Sequence, residues 1–113
     1  MEFTEEKVGE VIIVRLQGRL DSSTAPSARE RFERLVPSLD PHIAVDLSKV
    51  NYISSAGLQV LLGLARKVQH SKGQIVLFGL VPDVSEVLSI SGFDKIFAIR
   101  ADNDSAVAAL KGL

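Results

Sequence analysis

The sequence predicts an α/β domain with a mainly parallel, mixed sheet of about five strands and about four helices. Three observations indicate this class. Apolar, β-branched runs alternate with segments of helical periodicity along the 113 residues. The first two strand candidates are separated only by a hairpin-sized turn at residues 8–10. A helix lies between the second and third strand candidates, and a right-handed crossover makes those two strands parallel. We expect one domain over residues 1–113.

The composition favours a folded domain and argues against several functional classes. Hydrophobic residues make up 46% and charged residues 24% of the chain, which favours a folded domain over disorder. The formal net charge is −1 with acids and bases interspersed, which argues against a general nucleic-acid or anionic-membrane binder. The absence of cysteine excludes disulfides, thiol catalysis and thiolate zinc sites.

Features that are absent from the sequence indicate the expected cellular location and the expected lack of bound groups. Residues 1–10 are acidic and have no apolar core, so they do not resemble a signal peptide. No apolar run approaches the length of a membrane span, and we expect a soluble, cytoplasmic protein. His42 and His70 have no ligand spacing between them, so we expect neither a metal site nor a cofactor.

The chain begins with two strand candidates. Residues 1–7 form an edge strand in which Phe3 alternates with charged neighbours. Residues 11–17 are the strongest strand prediction because they are rich in β-branched side chains. Gly18 is expected to close this strand.

The first helix follows a polar connection at residues 19–26, which offers several caps and places Pro26 in the first helical turn. Pro37 should break the helix near its end, and residues 40–41 mark a turn. Apolar side chains at helical spacing predict its buried face: Ala28, Phe32, Leu35, Val36 and Leu39.

The central unit is a strand at residues 42–47, ended by Ser48 and Lys49, and then a helix. The helix should start at Ser54 and Ser55, run to about residue 69 and terminate at Gly73. Gly63, inside it, should permit close packing. Apolar residues mark one broad face: Leu58, Leu61, Leu62, Ala65 and Val68.

The C-terminal part repeats the alternation. Residues 74–80 form a buried strand, Pro82 opens a short helix, and Gly92 lies just past the end of that helix. Residues 95–100 form a last strand, and residues 102–104 cap a final helix. The inward side chains of these two helices are Val84, Val87, Leu88, Ala106, Val107 and Leu110.

Two polar loops are the candidate site. Ser54 and Ser55 stand at a helix start, where serine accepts a hydrogen bond from a free backbone N–H. Gly57 in the first turn lets another chain or a bulky group approach the backbone. The loop of Asp21, Ser22 and Ser23 should share a rim with these serines, because parallel strands bring their carboxyl ends to one edge of the sheet.

Four short motifs identify a family. They are GRLD at residues 18–21, VDLS at 45–48, YISSAGL at 52–58 and SISGF at 89–93. In this order and spacing they resemble the STAS domain, and within it the free-standing bacterial anti-sigma-factor antagonists. The resemblance extends over essentially the whole chain.

The resemblance implies a phosphorylation switch. In the family, the unmodified antagonist binds an anti-sigma factor that is also a serine kinase, and thereby releases a sigma factor. The kinase phosphorylates a serine at the start of this helix, and a phosphoserine phosphatase removes the group. The acceptor position corresponds to Ser55, with Gly57 matching the glycine two residues later. Ser54 stands where the family usually has aspartate, so it is an alternative acceptor, and Ala56 replaces a frequent Ser or Thr.

The same resemblance implies a binding surface and no catalytic residues. The expected partner contacts are Asp21, Ser22, Ser54, Ser55, Gly57 and Gln59. Physically, a phosphoserine adds roughly −1.5 to −2 charges. The free N–H groups of a helix start tolerate that charge, whereas a partner covering it would have to desolvate a dianion.

Three other interpretations remain open at this level. Ser54 and Ser55 as plain helix caps is the simplest. A serine hydrolase is disfavoured because G-x-S-x-G is absent and no histidine has an evident path to the serines. A STAS subunit of a different cytosolic complex, a stress-sensing assembly or a lipid-transport ATPase, would need no phosphorylation.

Overall fold

The computed structural model describes residues 1–35 and 41–111. Within them, no helix has the length and apolar character that crossing a membrane requires. The predicted helix-face positions Val36 and Leu39, the break at Pro37 and the turn residue Asp40 lie outside the described residues.

Five strands and four α-helices alternate along the described chain, as predicted. The strands are β1 (Glu2–Val8), β2 (Val11–Leu20), β3 (His42–Ile53), β4 (Gln74–Phe78) and β5 (Ala98–Arg100). The helices are α1 (Ala25–Leu35), α2 (Ser55–His70), α3 (Pro82–Ile90) and α4 (Asn103–Lys111).

The strands form one mixed sheet in the order β1-β2-β3-β4-β5. β1 pairs antiparallel with β2 through a two-residue turn in which Gly9 has a φ of 61°. The pairs β2–β3, β3–β4 and β4–β5 are all parallel. The predicted mainly parallel, mixed sheet is therefore confirmed.

The sheet is covered unequally on its two faces. One face packs against α1, α2 and α3 in the main core, where Phe32, Leu61 and Leu88 meet strand residues such as Val45. On the other face a smaller cluster centres on α4, whose Ala106 packs with strand residues of β2, β3 and β4. Strand side chains alternate between faces, which is why Val45 and its neighbour Ala44 belong to different clusters.

The predicted ends of β2 and β3 were wrong. Gly18 does not close β2, and Ser48 and Lys49 do not end β3, because both strands continue to Leu20 and Ile53. Register shifts between β2 and β3 absorb the polar interruption, and Gly18 adopts a φ of 117° at one of them. Inward-facing apolar residues resume beyond the shifts, which keeps the strands in the sheet.

Helix α2 has the predicted length, and four of the five residues predicted for its buried face are buried: Leu58, Leu61, Ala65 and Val68. Leu62 is only half-buried, while Val60 and Leu64 are buried. The expectation that Gly63 permits close packing was wrong, since a Cβ built there meets no heavy atom within 4 Å. The buried residues of α2 are Gly57, Leu58, Val60, Leu61, Leu64, Ala65 and Val68.

Helix α2 ends at His70, close to the predicted residue 69, but the residue predicted to terminate it was wrong. Lys72, not Gly73, takes the left-handed conformation after the helix, with a φ of 62°. The N–H of Gly73 donates to the carbonyl of Val68 at 2.8 Å, which closes the last turn. Gly73 is required for a different reason, because a Cβ there would lie 2.1 Å from the carbonyl oxygen of Pro41.

The last two strands are shorter than predicted. β4 stops at Phe78 and β5 starts at Ala98, after a 3₁₀ turn at Phe93–Lys95. Gly92, with a φ of 80°, directs the chain into that turn. The predicted starts of α3 at Pro82 and of α4 near residue 103 are confirmed.

Candidate functional site

The two polar loops meet at the carboxyl ends of β2 and β3. Leu20 pairs with Ile53 at the last position of the shared register. The N–H of Ser54 donates to the carbonyl oxygen of Leu20 at 3.0 Å. Asp21 follows the end of β2 and Ser54 follows the end of β3, and these two strand ends are paired. The predicted common rim is therefore confirmed.

Ser54 is the N-cap of α2. It has extended backbone dihedrals (φ −95°, ψ 177°), and its Oγ accepts a hydrogen bond from the N–H of Gly57 at 3.4 Å. The side chain is half-buried. Its hydroxyl thus satisfies one of the free donors of the first turn.

Ser55 is the first residue of α2 and is exposed. The first turn of this helix contains no acidic side chain, so none of its own carboxylates offsets the positive end of the helix dipole. Since Ser54 supplies the cap, the hydroxyl of Ser55 is available at the surface. This places an accessible nucleophilic oxygen beside backbone N–H groups.

Gly57 is buried and explains the tight junction between the loops. A Cβ at this position would lie 2.4 Å from the carbonyl oxygen of Leu20 and 2.9 Å from its Cγ. The group that approaches the glycine is therefore the end of β2 in the same chain, not an external chain as the sequence had suggested. Gly57 brings the two loops together.

Asp21 organises the neighbouring loop. Its Oδ1 accepts hydrogen bonds from the Ser23 Oγ at 2.7 Å, the Ser23 N–H at 3.0 Å and the Thr24 N–H at 3.3 Å. The Arg19 Nε donates to the Asp21 Oδ2 at 3.3 Å. These bonds, led by that from the Ser23 hydroxyl, lower the pKa of Asp21 to about 2. Ser22, at the tip, is exposed.

Arg19 and Tyr52 form a feature of this rim that the sequence analysis missed. The Arg19 guanidinium carbon lies 4.2 Å from the centroid of the Tyr52 ring, and Tyr52 is 42% exposed. The two residues are register partners across β2 and β3. Two register shifts between β2 and β3 produce this pairing, so extending β3 to residue 53 in the sequence prediction would not have been enough to indicate it.

Neither histidine accompanies the serines. His42 opens β3 and His70 ends α2, at the far ends of the two elements whose junction carries Ser54 and Ser55. The described residues also contain no group of three potential metal ligands close enough to share an ion. Gln59 is exposed one turn beyond Ser55 on the outer face of α2.

Comparison with known proteins identifies the family of this chain. The family model of the STAS domain matches residues 2–106. The chain belongs to the STAS domain family. The resemblance read from the four motifs is thereby confirmed.

Several relatives with a STAS domain are named anti-sigma factor antagonists. A Bordetella bronchiseptica protein provisionally named as the anti-sigma factor antagonist BtrV is 36% identical over 111 residues, which are 98% of this chain and 96% of that protein. The anti-sigma F factor antagonist of Paenibacillus polymyxa is 29% identical, over 89% of this chain and 87% of that one. The crystal structure of an anti-sigma factor antagonist from Mycobacterium paratuberculosis superposes with a TM-score of 0.88 at 25% identity, covering 97% and 93% of the two chains.

The STAS fold gives each family motif a position. GRLD ends β2, VDLS lies in β3, and YISSAGL spans the junction of β3 and α2. Three of the four motifs therefore lie along or beside the β2–β3 pair. SISGF, at residues 89–93, joins α3 to the 3₁₀ turn and is not part of that strand pair.

Proposed function

We propose that this STAS domain is an anti-sigma factor antagonist, a non-catalytic binding module that sequesters an anti-sigma factor and so frees a sigma factor for transcription. The similarity to BtrV over 98% of the chain supports this assignment. The similarity to the Paenibacillus polymyxa antagonist agrees with it. A different STAS complex has no comparable support.

The observation that carries the mechanism is the exposure of Ser55 at the start of α2. A phosphate on that hydroxyl would face the free N–H groups and the positive end of the helix, worth about 0.3–2 kcal/mol. Modification therefore leaves the domain folded. A partner surface covering the same spot must desolvate a dianion, so phosphorylation blocks association by charge and bulk.

Ser55 is the better acceptor of the two serines. The Ser54 hydroxyl accepts a hydrogen bond from the Gly57 N–H and is half-buried, so a kinase reaches it less easily than the exposed hydroxyl of Ser55. The Ser55 hydroxyl does not cap the helix, and the residue is exposed. We assign Ser55 as the phosphoacceptor and Ser54 as part of the surrounding contact surface.

The partner is an anti-sigma factor with serine kinase activity, and a separate phosphoserine phosphatase reverses the modification. The contact surface follows the rim, where exposed Ser22, Ser55 and Gln59 surround the Asp21 loop. Asp21 stays ionised throughout the physiological range because its pKa lies near 2, and it presents a constant negative charge. Arg19 already pairs with this carboxylate at 3.3 Å, so this part of the rim presents both a negative and a positive group to a partner.

The test uses the purified anti-sigma factor kinases encoded by the source genome. We expect one of them to bind the wild-type chain in calorimetry and, with ATP, to add one phosphate that mass spectrometry locates on Ser55. Ser55→Asp should lose binding, whereas Ser55→Ala should bind but accept no phosphate. Ser54→Ala is the matched control and should still be phosphorylated.

Distinct results would contradict distinct parts of the proposal. Failure of the wild-type chain to bind any of these kinases would overturn the assigned function. Phosphate on Ser54 would move the acceptor by one residue, and undiminished binding by the Ser55-phosphorylated chain would overturn the blocking mechanism.

A further inference from the structure

A shallow groove separates α1 and α2 on the outer surface of the domain. Its volume is about 130 Å³, well below the roughly 300–1,000 Å³ of small-molecule sites. It has room for one side chain and not for a cofactor. The lining residues are Arg29, Phe32, Glu33, Val60, Gly63, Leu64 and Lys67.

Gly63 creates this groove on the side of α2. It is exposed, and a Cβ built on it meets no heavy atom within 4 Å. Glycine in a helix interior lowers helix propensity, and alanine would be better here. No contact within the described residues requires the glycine, so the missing side chain leaves space that an external group can use.

The groove continues the surface around Ser55. Ser55, Gln59 and Gly63 are spaced four residues apart and are all exposed, which places them in one line along the helix. A partner that covers Ser55 and Gln59 therefore reaches Gly63 next. The line extends the rim away from the Asp21 loop, along α2.

The charge around the groove specifies the chemistry of its occupant. Helix α2 carries Arg66, Lys67 and His70 but no acidic residue. Arg29 lies across the groove from Lys67, whose Nζ donates to the backbone carbonyl of Glu33 at 3.3 Å. Cations outnumber the single carboxylate of Glu33 in the lining. An acidic side chain complements this environment.

We propose that an acidic side chain of the anti-sigma factor seats over Gly63, between α1 and α2, while the adjacent partner surface covers Ser55. This inference rests on the proposed function and extends its interface by about one helical turn beyond Gln59. The glycine allows close approach, and the cations on both sides of the groove select a carboxylate.

The first experiment fills the groove. Gly63→Gln adds a side chain to open space at a position where glutamine favours the helix, so the melting temperature should stay equal or rise. Affinity for the anti-sigma factor should fall about tenfold, because the added side chain fills the space that the partner's side chain would occupy. Ala108→Gln adds the same side chain at an exposed position of α4, on the opposite face of the sheet, and should bind as wild type.

The second experiment tests the charge. Arg29→Glu should weaken binding about five- to tenfold and reduce its dependence on salt concentration, since a favourable charge pair becomes a repulsive one. Lys95→Glu makes the same reversal of charge at an exposed position in the 3₁₀ turn and should leave the affinity within about twofold of wild type.

The outcomes separate this inference from the proposed function. If Ser55→Asp loses binding while Gly63→Gln and Arg29→Glu retain it, the function stands and the groove proposal is wrong. If Gly63→Gln loses binding while Ser55→Asp retains it, the groove is supported and the phosphorylation switch fails. If the wild-type chain binds no anti-sigma factor, both are overturned.

Discussion

At the scale of single residues, the two glycines of α2 meet opposite requirements. A Cβ on Gly57 would lie 2.4 Å from the Leu20 carbonyl oxygen, whereas a Cβ on Gly63 would touch nothing within 4 Å. Sequence alone treats both as helix-weakening residues. The difference lies in which strand end packs against the first turn, and this is a tertiary fact.

Alanine at the two positions should therefore have effects of opposite sign. Gly57→Ala should lower the free energy of unfolding by about 1–3 kcal/mol, because the loop junction must shift to admit a methyl group. Gly63→Ala should raise it by roughly 0.5–1 kcal/mol through helix propensity. Urea denaturation measures both changes. Equal effects of the two substitutions would contradict the packing described for Gly57.

The Asp21 loop gives a prediction about pKa. Removing the largest cause of the shift in Ser23→Ala should raise the pKa of Asp21 from about 2 toward the ordinary 3.8, as measured by NMR titration of the carboxyl carbon. The lowered pKa contributes stability above the unfolded-state value, and that contribution is lost as the pH falls toward 2. Asp102, whose pKa is lowered by bonds from Ser105, is the internal control and should not change.

At the scale of elements, the two ends of α2 are stabilised in different ways. Ser54 caps its first turn through a side chain, as the residue type predicted. At the other end a lysine occupies the left-handed position that glycine usually takes, and the glycine one residue later packs against Pro41. The contact with Pro41, and not the end of the helix, therefore explains Gly73.

Lys72→Gly should consequently stabilise the domain. A non-glycine residue at a φ of 62° costs the folded state about 1–2 kcal/mol. Glycine removes this cost, but its greater flexibility in the unfolded chain offsets part of the gain. We expect a gain of about 0.5–1 kcal/mol in thermal or urea unfolding. Lys95→Gly, at an exposed lysine without positive φ, should show no gain.

At the scale of the whole molecule, one arginine connects elements that are far apart in sequence. The Arg15 Nη1 donates to Asp46 Oδ2 at 2.9 Å, and its Nη2 donates to Glu6 Oε1 at 3.0 Å and to Asn103 Oδ1 at 3.3 Å. These bonds join β1, β2, β3 and α4 on the sheet face beside the smaller cluster. Burial raises the pKa of Asp46, but hydrogen bonds from Ser48 and Arg15 outweigh this and hold it below 3.8.

Arg15→Leu should lower the free energy of unfolding at pH 7 by about 1–3 kcal/mol, since it leaves a largely buried carboxylate without its cation. The pKa of Asp46 should rise, because burial remains when the arginine is gone. In the wild type, the contribution of Asp46 is present above its unfolded pKa and is lost as the pH falls through the lower folded value. Urea unfolding at pH 7 and pH 3 measures both effects.

The matched control for Arg15 is Arg34. Its pair with Glu30 is a helix-surface contact in which both side chains are more than two-thirds exposed. Arg34→Leu should change stability by no more than about 0.5 kcal/mol. A comparable loss in both variants would indicate that Arg15 contributes only through surface charge.

Much of the candidate site was predictable because it depends on local rules. Serine before an apolar helix indicates an N-cap, and Ser54 is one. A right-handed crossover places the Asp21 loop and the serines on one rim, and the hydrogen bond from Ser54 to Leu20 confirms it. The Arg19–Tyr52 contact was not predicted, because it depends on how far β3 extends and on two register shifts between β2 and β3.

The sequence by itself determined the α/β class, the order of the elements and the position of Ser55 at a helix start, since periodicity, capping and crossover handedness act over short stretches of chain. Tertiary structure alone decided where β2 and β3 end, which glycine of α2 is packed and which is open, and which basic residue follows the helix in the left-handed conformation. Those outcomes depend on groups distant in the chain, such as the carbonyls of Leu20 and Pro41, whose approach no local pattern encodes.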